Sequence, residues 1–362
     1  MRILELYSGI GGMHYAFRES GVAGNVIGAV DINPVANNVY KHNFPEVLLM
    51  NRNIESISEE EIINLNIDMI LMSPPCQPFT RVGLQKDKLD KRSCSLFHLL
   101  QIIPRISSLK YILLENVKGF ENSETRIELL KCLKNCYFNY KELILSPTQF
   151  GIPNTRHRYY LLAKKKGLKF CFDDSVLDYS LSQRLMTLLP RSKHQLFMEK
   201  EHVDNIEFGI VCYELKHILE NCEEELYLIP KNVLQKRATL LDIRTAENCG
   251  SCCFTKAYGH YVEGTGSVYC PFSEETVQKS LTESTKYEKY SEDQLKLFLS
   301  LKLRYFTPKE VSRLMCFPED FTFPNSTTIK QKYRLLGNSI NVDVVSKLIF
   351  LLCITEKENI YI

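Results

Sequence analysis

Ile3-Leu4-Glu5-Leu6-Tyr7-Ser8-Gly9-Ile10-Gly11-Gly12-Met13 decides how this chain folds. A short apolar run reads as a strand, a glycine turn follows, and a helix opens near Met13. Glycines there make the tight turn and let backbone approach a ligand closely. The same alternation of apolar runs with helix-like segments fills roughly the first 165 residues. Strands are expected at 3–7, 26–30, 69–72, 111–114, 141–145 and 159–163. Helices are expected around 13–20, 34–42, 59–65, 95–106 and 126–136. That order predicts an α/β protein with a mostly parallel, doubly wound sheet. From about Asp173 to about Ser300 the chain turns polar and irregular, which predicts an inserted second domain with a mobile stretch near 190–225. Thr307-Pro308-Lys309-Glu310 then restarts a helix, with a capping threonine, proline at the first helical position and glutamate at the third. A last apolar helix near 342–353 packs back on the first sheet. The expected division is 1–172, 173–303 and 304–362.

The chain has 362 residues, 44% of them hydrophobic and 24% charged, enough to bury a sizeable core. A net charge of +2 means that any nucleic-acid surface must be a local patch. Glu5 interrupts the first apolar run, so the N-terminus does not read as a signal peptide, and no apolar stretch reads as a membrane span. Thirteen cysteines without a secretion signal suggest free thiols in a reducing compartment, cytoplasm or nucleus.

Several motifs carry chemistry. Asp31 ends the second strand 22 residues after Gly9, where a carboxylate can bond ribose hydroxyls. The glycines do not follow Gly-x-Gly-x-x-Gly, which suits a nucleoside cofactor without a pyrophosphate. Ser73-Pro74-Pro75-Cys76-Gln77-Pro78 holds one thiol on a proline-stiffened loop after a buried strand, a placement that suits a nucleophile. Glu115 ends the apolar run Tyr111-Ile112-Leu113-Leu114, and such a carboxylate is expensive unless paired or solvated. It shares a sheet edge with Cys76. Gly151-Ile152-Pro153-Asn154-Thr155-Arg156-His157-Arg158 sets two arginines at alternate positions, suited to phosphate or base-edge acceptors. Cys249, Cys252, Cys253 and Cys270 with His260 lack the paired spacing of a zinc site, so no metal is expected.

Together these motifs, with Gly337-Asn338-Ser339, resemble those of the cytosine-5 methyltransferases, in the family's order and from both ends of the chain. Cys253-Phe254-Thr255-Lys256-Ala257-Tyr258-Gly259 resembles the Cys-Phe-Thr signature of the group once called DNA methyltransferase 2. Arg304-Tyr305-Phe306-Thr307-Pro308-Lys309-Glu310 and Tyr333-Arg334-Leu335-Leu336 match that group too. Asn154 departs from the wider family, whose DNA-modifying members often carry glutamine there.

The resemblance implies a Rossmann-like class I methyltransferase fold with a smaller inserted target-recognition domain. It implies methyl transfer from S-adenosylmethionine to carbon 5 of a cytosine, leaving S-adenosylhomocysteine. The substrate it implies is the anticodon loop of tRNA-Asp, with DNA a weak second partner and neither membrane nor obligate protein partner. Cys76 would be the nucleophile, Glu115 the group bonding the ring nitrogen and amine, and Arg158 the partner of the ring carbonyl, supported by Arg156. Gly9, Ile10, Gly11, Gly12 and Met13 would hold the methionine end of the cofactor. Asp31 and Ile32 would lie at the ribose, Asn53, Ile54, Ser73 and Pro74 near the adenine, and Asn338 and Ser339 would close the pocket. Cys253, Phe254, Thr255, Lys256 and Tyr258 would meet the nucleic acid. A DNA methyltransferase, a silent nucleic-acid-binding module and a nicotinamide dehydrogenase remain as alternatives.

Overall fold

The computed structural model describes residues 1–75, 94–170, 177–191 and 211–354. Cys76 and most of its loop lie outside the described residues. A seven-stranded sheet runs β3-β2-β1-β4-β5-β7-β6. Its strands are β1 Arg2–Leu6, β2 Asn25–Asp31, β3 Leu48–Asn51, β4 Met69–Met72, β5 Tyr111–Val117, β6 Phe138–Leu145 and β7 Arg158–Lys165. Only β7 runs against its neighbours, pairing antiparallel with β5 and β6. The expected mostly parallel sheet is present, with one short edge strand, β3, that the sequence reading did not anticipate. This is the order of a class I methyltransferase fold.

Strand alternation sorts the core into two faces. Ile3, Met69 and Leu113 face one way, and pack with helices α1 Gly12–Glu19 and α2 Pro34–Asn43 and the helix Val342–Cys353. Leu4, Ile70 and Leu114 face the other way, onto α3 Glu59–Asn64, α4 Cys94–Ile102 and α5 Glu124–Asn135. Glu5 and Glu115 share parity with Ile3 and Leu113, so both carboxylates project on the first face. Pro104 closes α4 into a short 3-10 turn, four residues before the helix end expected from sequence.

A second sheet of three two-residue strands has the order β10-β9-β8, with β8 Ile243–Arg244, β9 Val268–Tyr269 and β10 Arg304–Tyr305. Its third strand lies just past residue 303, where the sequence reading drew the end of the inserted part. Arg304 pairs with Glu310 at 2.8 Å in a fully buried bridge, and Thr307 caps the following helix in the expected reciprocal capping box. The mobile stretch expected near 190–225 is partly contradicted. Leu215 is fully buried, and Tyr213 and Leu215 donate backbone bonds to Gly151 and Asn248, so residues 211–220 are anchored. Residues 192–210 lie outside the described part.

Ile329–Cys353 has the apolar length of a membrane span, which the sequence reading did not expect. It is broken between the helices Ile329–Asn338 and Val342–Cys353, and 72% of its apolar window is buried inside the protein.

Candidate active site

The carboxyl ends of β1, β2, β4 and β5 open on one cavity of about 540 Å³, a size usual for small-molecule sites. One side is the glycine turn. Tyr7 and Gly9 both have positive φ, and Gly9 donates its N–H to Asp31 Oδ2 at 2.8 Å. Asn33 donates to the other Asp31 oxygen at 2.8 Å. Burial still leaves the Asp31 carboxyl above its ordinary range, against those two N–H groups and that of Ile32. Gly9, Ile10, Gly12, Met13, Asp31, Ile32, Asn53, Ile54, Ser73, Pro74, Asn338 and Ser339 all line the cavity. Gly11 does not. Its φ of +85°, and Phe44 2.7 Å from where a Cβ would stand, give it a conformational role behind the loop.

The other side carries Glu115, Arg156, Arg158 and Lys256. Register on the sheet brings Glu115 opposite Tyr160 and Val117 opposite Arg158, so β5 and β7 place the carboxylate and the guanidinium side by side. Arg158 Nε lies 3.3 Å from Glu115 Oε1. Burial raises Glu115 above the usual carboxylate range, although Arg158 and Arg156 pull it back. Asn116 Nδ2 donates to the Pro74 carbonyl at 3.3 Å, tying β5 to the loop that leads to Cys76.

Arg156 is buried, and both its Nη groups are engaged by the protein itself, while Nε has no hydrogen-bond partner. Nη1 bonds the Phe254 carbonyl at 3.1 Å and Cys253 Sγ at 3.3 Å, while Nη2 bonds the Gly337 carbonyl at 3.3 Å and also that of Ser339. Arg156 is thus a strut that joins three loops. Asn154 has a similar task, donating to Ser251 Oγ and the Cys252 carbonyl at 3.1 and 2.9 Å. Burial pushes the Cys253 thiol up, but Arg156 and Arg158 outweigh it and hold the thiol below its ordinary range.

Two members of the expected nucleic-acid-contacting set are corrected. Phe254 and Tyr258 are 2% and 4% exposed, and the Tyr258 hydroxyl donates to the Ser267 carbonyl at 2.7 Å while accepting from Phe306 N–H at 2.8 Å. They stack edge to face with each other, so neither is free to stack on a base. Lys256 is exposed at the cavity edge, and Thr255 lies against Gly337, where a Cβ would fall 2.2 Å from the Thr255 carbonyl carbon. The cysteines once weighed as zinc ligands are dispersed. Cys253 meets the two arginines, Cys270 is buried against the Leu301 carbonyl, and no cluster of three metal-ligating side chains forms among the described residues.

The sequence reading passed over several cavity residues, Glu5 and Ser8 among them. Glu5 Oε1 and Ser8 Oγ are buried without a hydrogen-bond partner. The signal was available: Glu5 is a carboxylate inside an apolar strand, the same feature that singled out Glu115.

The sequence model of the C-5 cytosine-specific DNA methylase family matches residues 1–350. A Spodoptera frugiperda protein named tRNA (cytosine(38)-C(5))-methyltransferase is 46% identical, covering 97% of this chain and 98% of its own length. The human protein of that name is 45% identical, covering 97% and 99%. A Dictyostelium discoideum relative that is 39% identical, covering 99% and 96%, is named DNA (cytosine-5)-methyltransferase. The crystal structure of a Spodoptera frugiperda DNMT2 mutant superposes with a TM-score of 0.84 at 45% identity, covering 97% and 99%. Sheet order, cavity and full-length likeness agree, and the chain belongs to the C-5 cytosine-specific DNA methylase family.

Proposed function

We propose that this chain transfers a methyl group from S-adenosylmethionine to carbon 5 of a cytosine in the anticodon loop of tRNA, at the position numbered 38 in the names of its relatives, with tRNA-Asp as the substrate. The observation that carries the reading is the pairing of Glu115, raised by burial, with Arg158 in a cavity that also holds the Gly9–Asp31 turn. The cofactor fits the acidic side of that cavity. Glu5 and Asp31 suit a cationic nucleoside amino acid, and Glu5 Oε1 and Ser8 Oγ lack partners that its amino-acid end would supply. When bound, S-adenosylmethionine supplies an electrophilic methyl group.

The chain's own residues do the rest. Carbon 5 of cytosine is a poor nucleophile until a thiolate adds at carbon 6, the role assigned to Cys76. Glu115 in its protonated form donates to the ring nitrogen and accepts from the exocyclic amine, relieving charge as the ring becomes enamine-like. Arg158 donates to the ring carbonyl oxygen. Arg156 positions the Cys253–Phe254 and Gly337–Ser339 backbone that frames the base. A loop cytosine leaves its stack more cheaply than a paired one, which favours RNA.

The test is transfer of labelled methyl to purified tRNA, to duplex DNA and to neither, with Cys76→Ala alongside. Label on tRNA alone, lost in the variant, is the expected outcome. The Dictyostelium relative's name keeps the DNA reading in play, and label on DNA alone would replace the tRNA reading with it. Full turnover by Cys76→Ala would remove the covalent mechanism.

A further inference from the structure

Glu5 stands on β1, one strand from Asp31, with its side chain on the face covered by α1 and α2. Tyr40 Oη donates to Glu5 Oε2 at 3.0 Å, and His14 Nδ1 lies 3.0 Å from the same hydroxyl. The His14 ring stacks on Phe44 at 3.7 Å. The backbone N–H groups of Met13 and His14 face the carboxyl, yet Oε1 has no hydrogen-bond partner. The charged and titratable groups around Glu5 are Tyr40 from α2, His14 from α1 and Asp31 from β2. None is a cation: burial lowers His14 to about 4, so it stays neutral. Burial without a counter-ion pushes Glu5 up to about 8, against the Tyr40 bond and the two N–H groups. A second orphan, Ser8 Oγ, lines the same cavity.

An unpaired acceptor and an unpaired hydroxyl in one cavity match an α-amino acid zwitterion. Its ammonium completes the acceptor, and its carboxylate takes the hydroxyl. We propose that cofactor loading is proton-coupled: Glu5 is a neutral acid in the free protein, releases its proton to solvent, and pairs as a carboxylate with the ligand's α-ammonium. The inference rests on reading the cavity as an S-adenosylmethionine site. The only bond broken is the O–H of Glu5, and the proton goes to buffer. Glu5 is a ligand-binding residue here, with Tyr40 holding its other oxygen.

The test is calorimetric titration of the full chain with S-adenosylhomocysteine near pH 7, in phosphate and in Tris. The two buffers differ in ionisation heat, so the difference in observed heat counts protons released. Nearly one proton per ligand is expected for the wild type and none for Glu5→Gln. Affinity should weaken roughly tenfold for each pH unit below about 8 in the wild type only. S-adenosylmethionine should give the same count, because both forms carry the α-ammonium; release with S-adenosylmethionine alone would overturn the assignment to that group. Adenosine, which has no cation, should release nothing. Tyr40→Phe keeps the acid and removes a bond that favours its ionised form. It should therefore retain the release while binding more weakly near pH 7, which keeps the test sound if Glu5→Gln does not fold. Equal wild-type heats in both buffers would overturn the coupling alone. Failure of S-adenosylhomocysteine to bind would overturn the cofactor reading with it.

Discussion

Glu5 and Glu115 occupy matching places in the sheet and are held by different means. Each sits near the carboxyl end of a parallel strand, on the same face, at 1% and 7% exposure. Burial raises both. Glu115 has Arg158 at 3.3 Å, with Arg156 behind it, to favour its ionised form. Glu5 has only the neutral donors of Tyr40, Met13 and His14, and no ion pair to it forms among the described residues. The difference divides the cavity by charge. The Glu5 end lacks a cation and suits a ligand that brings one. The Glu115 end already contains its cations and suits a neutral ring that gains charge as it reacts.

The largest effect should come from testing that division at Glu115. Glu115→Gln keeps the shape and removes the acid, and turnover should fall about 10³-fold while S-adenosylhomocysteine binding holds. A comparable loss of cofactor affinity would mean that the two ends are not separate. Arg158→Ala comes next, with kcat/KM expected to fall about 10²-fold. The sign of its pH effect is fixed. Removing a cation that favours ionised Glu115 raises that carboxyl further, so any alkaline limb set by Glu115 should move to higher pH. A shift to lower pH would show that Arg158 does not act on Glu115.

The Glu115 end and the glycine turn were legible in the sequence, for reasons that also explain the misses. The Gly9 to Asp31 spacing brings the two together because both lie on one local β1–α1–β2 unit, and the 2.8 Å bond between them follows from it. The helix Val342–Cys353 was read to the residue because an apolar segment between an asparagine cap and a break leaves little choice. β3 was missed because a four-residue edge strand with Leu48 exposed carries almost no period-2 signal. Tyr258 was misread because its burial depends on Phe306 and Tyr333, distant in sequence, as well as on nearby Ser267. Arg156 was placed among the catalytic groups as the support of Arg158, because alternate arginines face one way on an extended segment. Only the fold shows that one pairs with the cavity's acid while the Nη groups of the other are taken by backbone carbonyls and the Cys253 thiol.

That distinction between the arginines can be broken by a conservative change. Arg156→Lys keeps the charge but cannot bond the carbonyls of Phe254, Gly337 and Ser339 together through a planar fork. Loss of about 2 kcal/mol in unfolding free energy is expected, with a smaller fall in turnover than for Arg158→Ala. Denaturant titration beside a rate assay separates the two effects. Wild-type stability with a large fall in turnover would place Arg156 among the groups that contact the ring.

The last test reads Glu5 in the protein without ligand, where no change in turnover is involved. Its folded value of about 8 lies above the ordinary 4.5, so the unfolded chain ionises first as pH rises. The stability that Glu5 contributes is fully present below 4.5 and is lost as pH rises through 8. Within that window the wild type should lose about 1 kcal/mol per pH unit relative to Glu5→Gln, and the difference should level off above 8. His14 works in the opposite direction, because a histidine buried neutral loses stability as pH falls through 6.5 towards 4. It is common to both proteins, so subtracting their urea-unfolding curves at each pH removes it. Saturating S-adenosylhomocysteine should then flatten the wild-type slope, because the ammonium gives the carboxylate the counter-ion that the fold withholds. A slope indifferent to ligand would leave Glu5 a buried acid that caps α1 and place the ligand's ammonium elsewhere.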